Sequence, residues 1–418
     1  MPKILVLDAS YSFETIVNRK LEDSITCRDL DGFFKHAWTV HPFATLVTSR
    51  SWGSKYGKPQ WYTLAPSHTF IEGKTGRFYS LRWLPPLNFL LAQINIFIIL
   101  YRLIRKEKIS IVRVGDPLYL GIFGWLLARL CGVPLVVRIG GNYDKIRETT
   151  GKAMMPRVFF NRKIEKIFER FILSHADLVA GANQDNLNFA LKNGARLGSS
   201  TLFRYGNLIN KHHFIQPSQR RDGIPLLQNL GLESNKFLLY IGRLESVKHP
   251  EDLIRVLAEV RTHGHNVKLL LAGDGQSKDS LVKLSQQLGV RDEVVFCGNM
   301  DQEWLAQIIP LSAVILSPHT GRALLEAALG ARPIVAYDID WQSELIKPGV
   351  TGELVPYTDW KKMAESVNRF LTDSLYSRSM GNSARESAME MMDPVKLNEH
   401  ERQQYSLLLD GAAKNNKK

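Results

Sequence analysis

The sequence predicts an α/β protein with two doubly wound parallel sheets. Short β-branched runs alternate with apolar segments of helical period along most of the chain, and this alternation is typical of βαβ units. It pauses once, over residues 210–236, and then starts again. At 418 residues the chain is also long enough for two domains of roughly 200 residues each.

The N-terminal strands are predicted in KILVLDA, ISIVRVGD, PLVVRIGG and DLVAGAN, and LGIFGWLLARLCG is a predicted helix between them. The pause over 210–236 is rich in Pro, Gly, Asn and Ser and predicts a linker. The C-terminal strands are predicted in FLLYIGR, VKLLLAGDG, VVFCGN, AVILSP and RPIVAYD. We therefore predict one domain over 1–212, a second over 213–392, and a helix with a frayed tail over 393–418. Ligands are expected at the carboxyl ends of the strands, in a cleft between the domains.

The net charge of +13 is unevenly placed. Residues 1–210 carry 29 Lys and Arg against 15 Asp and Glu, whereas residues 211–418 carry 25 against 26. Residues 51–170 alone hold 20 basic and 7 acidic residues. Such a region attracts phosphates of an anionic lipid or substrate. Nucleic acid is not expected, because neither an aromatic-basic single-strand motif nor a zinc finger is present.

An apolar stretch over 87–108 is interrupted by Asn88, Gln93 and Asn95. Its uninterrupted part is only about half the roughly twenty residues that a membrane span needs. We therefore predict a well-buried helix with a basic last turn rather than a span.

Residues 154–177 combine apolar positions at helical spacing with basic ones. The apolar set is Phe159, Phe160, Ile164, Ile167, Phe168, Phe171 and Ile172, and the basic set is Arg157, Arg162, Lys163, Lys166 and Arg170. Such a helix can lie in a membrane interface, or it can pack on a core with a solvated basic face. Both interpretations stay open.

Cysteine usage and the first residues suggest a cytoplasmic protein. Cys27, Cys131 and Cys297 are far apart and fit neither a disulfide framework nor zinc spacing. The first residues run directly into a strand pattern, and no signal peptide is evident.

The segment YIGRLESVKHPEDLI, residues 240–254, is a strand followed by a loop and a helix. Gly242 allows a tight turn at the strand end, and Arg243 and Lys248 follow beside the helix N-terminus. Two cations and free N–H groups fit a diphosphate, although surface charges on a loop explain the segment equally well. Gly273 and Met300 follow two neighbouring strands and are expected at the same edge.

The segment SPHTGRALLEAALGARPIVAYD, residues 317–338, offers a second group of ligand contacts. Gly321 precedes a helix whose first turn presents N–H groups to an anion, and Glu326 can hold both hydroxyls of a ribose. There is no glycine-rich Walker loop.

With these motifs the chain resembles retaining glycosyltransferases of the GT-B fold, family 4, most strongly over 236–358. The resemblance implies two Rossmann-like domains that face a central cleft. It implies that Arg243 and Lys248 hold the donor diphosphate and stabilise it as a leaving group, so that no metal is required. It also implies that Glu326 binds ribose, that the backbone of Gly321 and Arg322 meets the phosphates, and that the Met300 region approaches the base.

The family's E-x7-E motif is incomplete, because Pro318 and then His319 stand where the first acid is expected. His319 could contact the donor sugar instead, or a nearby acid could do so: Asp338, Asp340 or Glu344. Otherwise the site has lost its chemistry. Since Arg243, Lys248 and Glu326 persist, we expect activity.

The acceptor side is also atypical, because LDASYSFET replaces the family's Gly-Gly loop after the first strand. Candidate acceptor contacts are Asp116, Asn142 and Asp144, for which helix caps or turns are equally good explanations. The pair His212 and His213 is expected to be structural, and His175 to cap or pack.

The resemblance thus implies a retaining transfer from a UDP- or GDP-sugar to a glycan or lipid-linked acceptor, in bacterial surface polysaccharide assembly such as lipopolysaccharide or capsule. A cationic first half fits a peripheral enzyme on the cytoplasmic leaflet. The alternatives are an inactive GT-B partner subunit and a GT-B nucleotide-sugar epimerase or hydrolase.

Overall fold

The computed structural model describes residues 1–49, 51–151, 153–159, 161–204, 209–319 and 321–415. The chain forms two compact units. The first comprises Met1–Leu208 with Pro394–Lys418, and the second comprises Ile209–Asp393. The division therefore falls four residues before the predicted position at 212. Residues 210–236 belong to the second unit and include a helix, Ile224–Asn229, where only a linker was predicted.

The first unit contains an eight-stranded sheet in the order β3-β4-β2-β1-β5-β6-β7-β8, parallel except for the β3–β4 pair. Its central strands are buried on both faces because helices cover both sides of the sheet. The strands are β1 (Lys3–Leu7), β2 (His36–His41), β3 (Gln60–Ala65), β4 (His68–Glu72), β5 (Ile111–Val114), β6 (Leu135–Ile139), β7 (Leu178–Gly181) and β8 (Ser200–Leu202). The helices before the second unit are α1 (Phe13–Asn18), α2 (Glu22–Thr26), α3 (Pro85–Glu107), α4 (Tyr119–Cys131), α5 (Tyr143–Thr150), α6 (Pro156–Phe159), α7 (Arg162–His175) and α8 (Gln184–Lys192).

The second unit contains a six-stranded, fully parallel sheet in the order β11-β10-β9-β12-β13-β14. Its strands are β9 (Phe237–Ile241), β10 (Lys268–Ala272), β11 (Val294–Gly298), β12 (Val314–Ser317), β13 (Ile334–Tyr337) and β14 (Glu353–Val355). Its helices are α9 (Ile224–Asn229), α10 (Pro250–Thr262), α11 (Lys278–Gln287), α12 (Gln302–Ile308), α13 (Ala323–Ala328), α14 (Gln342–Leu345), α15 (Trp360–Thr372) and α16 (Ser374–Met391). All five strands predicted for this half are present.

The last helix, α17 (Pro394–Asn415), packs on the first unit. Tyr405 is fully buried in a cluster with Ile4, Phe34 and Phe203, and its hydroxyl accepts a hydrogen bond of 3.2 Å from Nη1 of Arg113 on β5. This helix is therefore an integral part of the first unit.

Helix α3 corrects the prediction of a well-buried helix. One side, with Ile96, Leu100 and Ile104, joins the core of the first unit, but the opposite side exposes large apolar residues to solvent. By length and composition α3 could also cross a membrane. The core packing of its inner side instead ties it to the sheet.

The predicted amphipathic stretch 154–177 is divided into α6 and α7, and Phe160 lies outside the described residues. In α7 the expected polarity holds only in part, because Ile172 is buried and Lys163 is exposed as predicted but other residues are reversed. Arg162 is buried and pairs with Glu169 at 2.8 Å, whereas Ile167, Phe168 and Phe171 are exposed. Arg162, which the sequence placed in the basic set of a solvated face, is therefore part of an internal ion pair. His175 ends α7, and its Nδ1 lies 2.7 Å from the carbonyl oxygen of Phe171.

Candidate functional site

The strand order of the second sheet locates the candidate site. The order reverses between β9 and β12, so the loops that follow these two strands diverge and leave a crevice at their carboxyl ends. The loop after β9 carries Arg243 and Lys248, and the loop after β12 carries His319 and leads into α13 with Glu326. The two predicted groups of ligand contacts therefore lie on either side of one switch point.

Two glycines allow the loops after β9 and β10 to approach closely. A Cβ atom on Gly273, whose φ is +155°, would lie 1.8 Å from the carbonyl oxygen of Gly242. The N–H of Leu244 donates to the carbonyl of Asp274 at 3.0 Å and fastens the two loops together. The floor of the site is therefore backbone that only glycine permits. Met300, predicted to approach a base, is half-buried just after β11.

Arg243 is held by its backbone and leaves its side chain exposed. The Tyr240 hydroxyl donates to the carbonyl of Arg243 at 3.0 Å. The guanidinium donates a hydrogen bond of 2.8 Å to Oε1 of Glu245, and 61% of the Arg243 side chain is exposed. Tyr240 is a positioning residue that our sequence reasoning missed, since a buried tyrosine at a strand end gives no distinctive signal.

Lys248 lies half-buried near Arg243. Burial lowers the pKa of Lys248, the charge of Arg243 lowers it further, and Asp340 and Glu245 oppose the shift. The partly buried Lys248 and the exposed Arg243 place two positive charges at the end of one strand, and together they attract an anion.

His319 and Asp340 form a hydrogen-bonded pair, and the charge of Asp340 acts on Lys248. Nε2 of His319 lies 2.7 Å from Oδ2 of Asp340, and Nδ1 lies 2.9 Å from the carbonyl oxygen of Val247. Both partners are acceptors, so a ring protonated on both nitrogens donates to both. Of the acids considered as replacements for the missing one, Asp340 is the residue joined to His319. Asp338 is exposed after β13, and Glu344 lies on α14.

Glu326 is buried one turn inside the six-residue helix α13. Its Oε1 accepts a hydrogen bond of 3.0 Å from Nε of Arg322, which caps the same helix. Gly321 precedes both residues, and a Cβ atom added there would meet no atom within 4 Å.

His213 is buried, and its Nε2 forms a hydrogen bond of 2.8 Å with Oε1 of Gln302. Burial lowers the pKa of His213, and the nearby charge of Glu326 acts in the opposite direction. The hydrogen bond and the burial of His213 both fit a structural role.

The three acceptor candidates of the first unit all have partners within that unit. Asp116 accepts N–H bonds from Leu118 at 2.8 Å and Leu120 at 3.2 Å, and so caps the start of α4. Asn142 caps α5, and Asp144 pairs with Arg162 and Lys166 at 2.9 Å each. These contacts account for all three residues structurally, and a role in acceptor binding stays a prediction.

Asp8, which our sequence analysis did not single out, follows β1 at the switch point of the first sheet, between β1 and β5. Burial would raise the pKa of its carboxyl, but the Arg28 guanidinium and the Ser10 N–H more than offset this and hold the pKa well below its usual range. The position of an acid directly after a buried strand was the sequence signal that could have identified Asp8.

Among the described residues, no group of three or more His, Cys, Asp or Glu could hold a metal ion.

We expect Asp116→Asn to stabilise the protein in a pH-dependent way. Burial raises the pKa of Asp116 from 3.8 to about 6, so between these values the folded state binds more protons than the unfolded state. Stability therefore falls as the pH rises through this window. Asparagine keeps the capping oxygen without the charge. Denaturant titrations should show a gain of about 2 kcal/mol at pH 7 and little change at pH 4.

Asp144→Asn is the control of opposite sign. Burial opposes ionisation of Asp144, but hydrogen bonds from Lys166, Arg162 and Asn193 prevail and lower its pKa to about 2. This substitution should destabilise the protein at pH 7 and cost less as the pH falls towards 2. A gain from Asp116→Asn that is equal at both pH values would contradict the assignment.

Comparison with known proteins finds similarity to glycosyltransferases. Residues 226–387, less than half of the chain and all within the second unit, match the family model of glycosyl transferases group 1. The alpha-D-kanosaminyltransferase of Streptomyces kanamyceticus is 29% identical over 269 residues, which are 63% of this chain and 67% of that protein. A Campylobacter jejuni relative, N-acetylgalactosamine-N,N'-diacetylbacillosaminyl-diphospho-undecaprenol 4-alpha-N-acetylgalactosaminyltransferase, is 25% identical over 63% of this chain and 70% of its own length.

The crystal structure of Anabaena HepE in complex with UDP and glucose is similar over 97% of this chain and 100% of that chain. The TM-score is 0.72 and the sequence identity is 18%. At this identity the likeness establishes the fold, which is GT-B with two Rossmann-like domains. Together these findings support a glycosyltransferase of the GT-B fold, and its second unit contains the segment that matches the group 1 model.

Proposed function

We propose that the protein is a retaining glycosyltransferase of family 4 that uses a nucleoside diphosphate sugar, linked to UDP or GDP, as donor. The observation that carries the proposal is the pair of cations, Arg243 and Lys248, at the switch point of the second sheet. They lie beside backbone that glycine alone permits, and the loop on the other side of the switch point leads to the buried Glu326. A diphosphate between the cations and a ribose on Glu326 use all of these features.

In the proposed reaction the bond between the anomeric carbon and the diphosphate breaks, and the diphosphate leaves with the electron pair. Arg243 and Lys248 neutralise the charge that develops on it. The acceptor hydroxyl attacks from the same face and gives its proton to the departing phosphate oxygen. This front-face route retains the anomeric configuration and requires neither a metal ion nor a separate protein base.

We infer that Asp340 replaces the acid missing at Pro318, and that His319 positions it. Both ring nitrogens of His319 already have partners in Val247 and Asp340. The side chain of Asp340 is 27% exposed against 13% for His319, so the carboxylate is the more accessible group for a sugar hydroxyl. The pair thus keeps one carboxylate near the donor sugar, although it comes from the loop after β13.

Two features support an acceptor with an apolar, lipid-linked part. The first unit carries the excess positive charge of the chain. It also contains an apolar cavity of about 270 Å³, lined by Phe43, Leu46, Phe89, Tyr119, Met154, Met155 and Val158. The name of the Campylobacter relative includes a diphospho-undecaprenol acceptor. We propose that the protein assembles a surface polysaccharide as a peripheral enzyme on the cytoplasmic side of the membrane.

Pro318 favours one second candidate function, an inactive GT-B subunit that binds a partner enzyme. This candidate and the transferase differ in what they require of Arg243. A scaffold survives its loss in cells, whereas a transferase does not.

Thermal unfolding with saturating UDP, GDP, ADP and CMP tests the proposed donor site. A nucleotide present at about 100 times its dissociation constant adds roughly 2.7 kcal/mol to the stability. We expect UDP or GDP to raise the unfolding temperature of the wild type and to have no such effect on Arg243→Ala. Absence of a shift with any of the four nucleotides would reject the donor site and favour the scaffold.

A further inference from the structure

The outer side of α3 exposes an apolar stripe. Four large residues at helical spacing are between 41% and 54% exposed: Leu87, Leu90, Ile94 and Ile98. Immediately before the helix, Phe78, Tyr79 and Trp83 are also exposed, Trp83 to 70%. We call these seven residues the α3 apolar face. A group of exposed large apolar side chains this close together in the chain marks an interaction surface.

The aromatic part of the α3 apolar face is held in place by Asn88. This side chain is buried in the first turns of α3 and accepts the N–H groups of Arg77 at 2.6 Å and Phe78 at 2.9 Å. Its amide also donates to the carbonyl of Phe78 at 2.7 Å. Three hydrogen bonds therefore fix the segment that exposes the aromatic rings.

The chain segment that carries this face is basic. Residues 73–106 contain six Lys and Arg and no Asp or Glu. The guanidinium of Arg82 lies 4.6 Å from the ring centroid of Tyr79, and that of Arg77 lies 5.1 Å from the ring centroid of Phe78. At the other end of the stripe, Arg102 and Arg105 are exposed. The first acid after the stripe, Glu107, is neutralised by Lys3 at 3.0 Å.

We propose that the α3 apolar face docks the first unit onto an anionic lipid bilayer. At 1.5 Å per residue, the stripe from Leu87 to Ile98 is about 17 Å long and is bracketed by arginines. The inner side of the helix belongs to the protein core, so α3 lies along the surface. Apolar side chains enter the acyl boundary, Tyr79 and Trp83 take the interfacial level, and the arginines meet lipid phosphates.

This inference refines the proposed membrane association, and it does not depend on the transfer activity. Co-sedimentation with phosphatidylglycerol vesicles tests it. We expect wild type to bind them, to bind phosphatidylcholine vesicles far less, and to be released by salt. Leu90→Gln/Ile94→Gln and Arg77→Gln/Arg82→Gln should each weaken binding by about tenfold or more.

The control variant is Leu375→Gln/Leu407→Gln, which changes two leucines elsewhere that are more exposed than Leu90 and Ile94 and should leave vesicle binding unchanged. Brominated lipids should quench the fluorescence of the wild type more than that of Trp83→Phe. The UDP- and GDP-induced unfolding shifts of all variants should match wild type, so a failure of this surface is separable from a failure of the donor site.

Three results would overturn the inference. The first is wild type that does not bind anionic vesicles. The second is vesicle binding that persists both in Leu90→Gln/Ile94→Gln and in Arg77→Gln/Arg82→Gln. The third is a wild-type dimer, seen by light scattering, that Leu90→Gln/Ile94→Gln dissociates, since the face would then join two copies of the chain.

Discussion

Replacing either Arg243 or Lys248 by alanine should lower kcat/KM for sugar transfer by about 10²–10³-fold. Each cation is expected to act where negative charge accumulates on the departing diphosphate, and losing one such group from a preorganised site has this effect in other enzymes. The measurement is the release of nucleoside diphosphate from the donor that stabilises the protein, in the presence of acceptor. Arg243→Lys should recover only part of the rate, because lysine lacks the planar fork.

Arg369→Ala is the matched control for Arg243→Ala. Arg369 is also 61% exposed and is also paired with a glutamate, Glu353, at 3.7 Å, but it lies on α15. It should retain the wild-type rate. Equal losses in the two variants would mean that a general loss of charge, rather than a donor site after β9, explains the result.

Gly273→Ala should destabilise the second unit by about 3 kcal/mol or more. The new Cβ would lie 1.8 Å from the carbonyl oxygen of Gly242, at a φ that L residues rarely adopt. Backbone strain and steric overlap therefore add. For a unit of this size we expect a fall in unfolding temperature of roughly 6 °C or more, together with weaker nucleotide binding.

Gly321→Ala provides the comparison for stability alone. A Cβ at this position meets no atom within 4 Å, so the unfolding temperature without nucleotide should change little. If Gly273→Ala were as stable as Gly321→Ala, the close approach of the loops after β9 and β10 would not exist in solution.

The placement of most residues of the proposed donor site at one sheet edge could be predicted from the sequence, because the motifs that carry them are local. Arg243 and Lys248 follow one strand, and Glu326 follows another, so parallel strand ends bring them to one edge of the sheet. The partner of His319 could not be chosen in this way. Asp338, Asp340 and Glu344 are similar in sequence position, and only the backbone path after β13, with φ of 53° at Asp340, brings one of them to the histidine.

The same limit explains the elements that our sequence analysis missed. Strands β2, β3 and β4 are rich in His, Thr, Trp and Gln, and lack the continuous apolar run of a central parallel strand. Their pairing depends on neighbours far along the chain. By contrast, the central strands β9, β10, β12 and β13 of the second unit were predicted because both of their faces are buried and their residues are almost all apolar.

The sequence by itself determined the α/β class, the two sheets and the strand-end residues of the proposed donor site, because periodicity and strand-end motifs are local properties. Only the tertiary structure decided which side of each helix is covered. Helix α3 was predicted as buried from its composition, yet its outer stripe is exposed among the residues that the structure describes. Helix α7 turns Arg162 inward because Glu165 and Glu169 are buried beside it. Burial depends on what packs against a segment, and that information is spread over the whole chain.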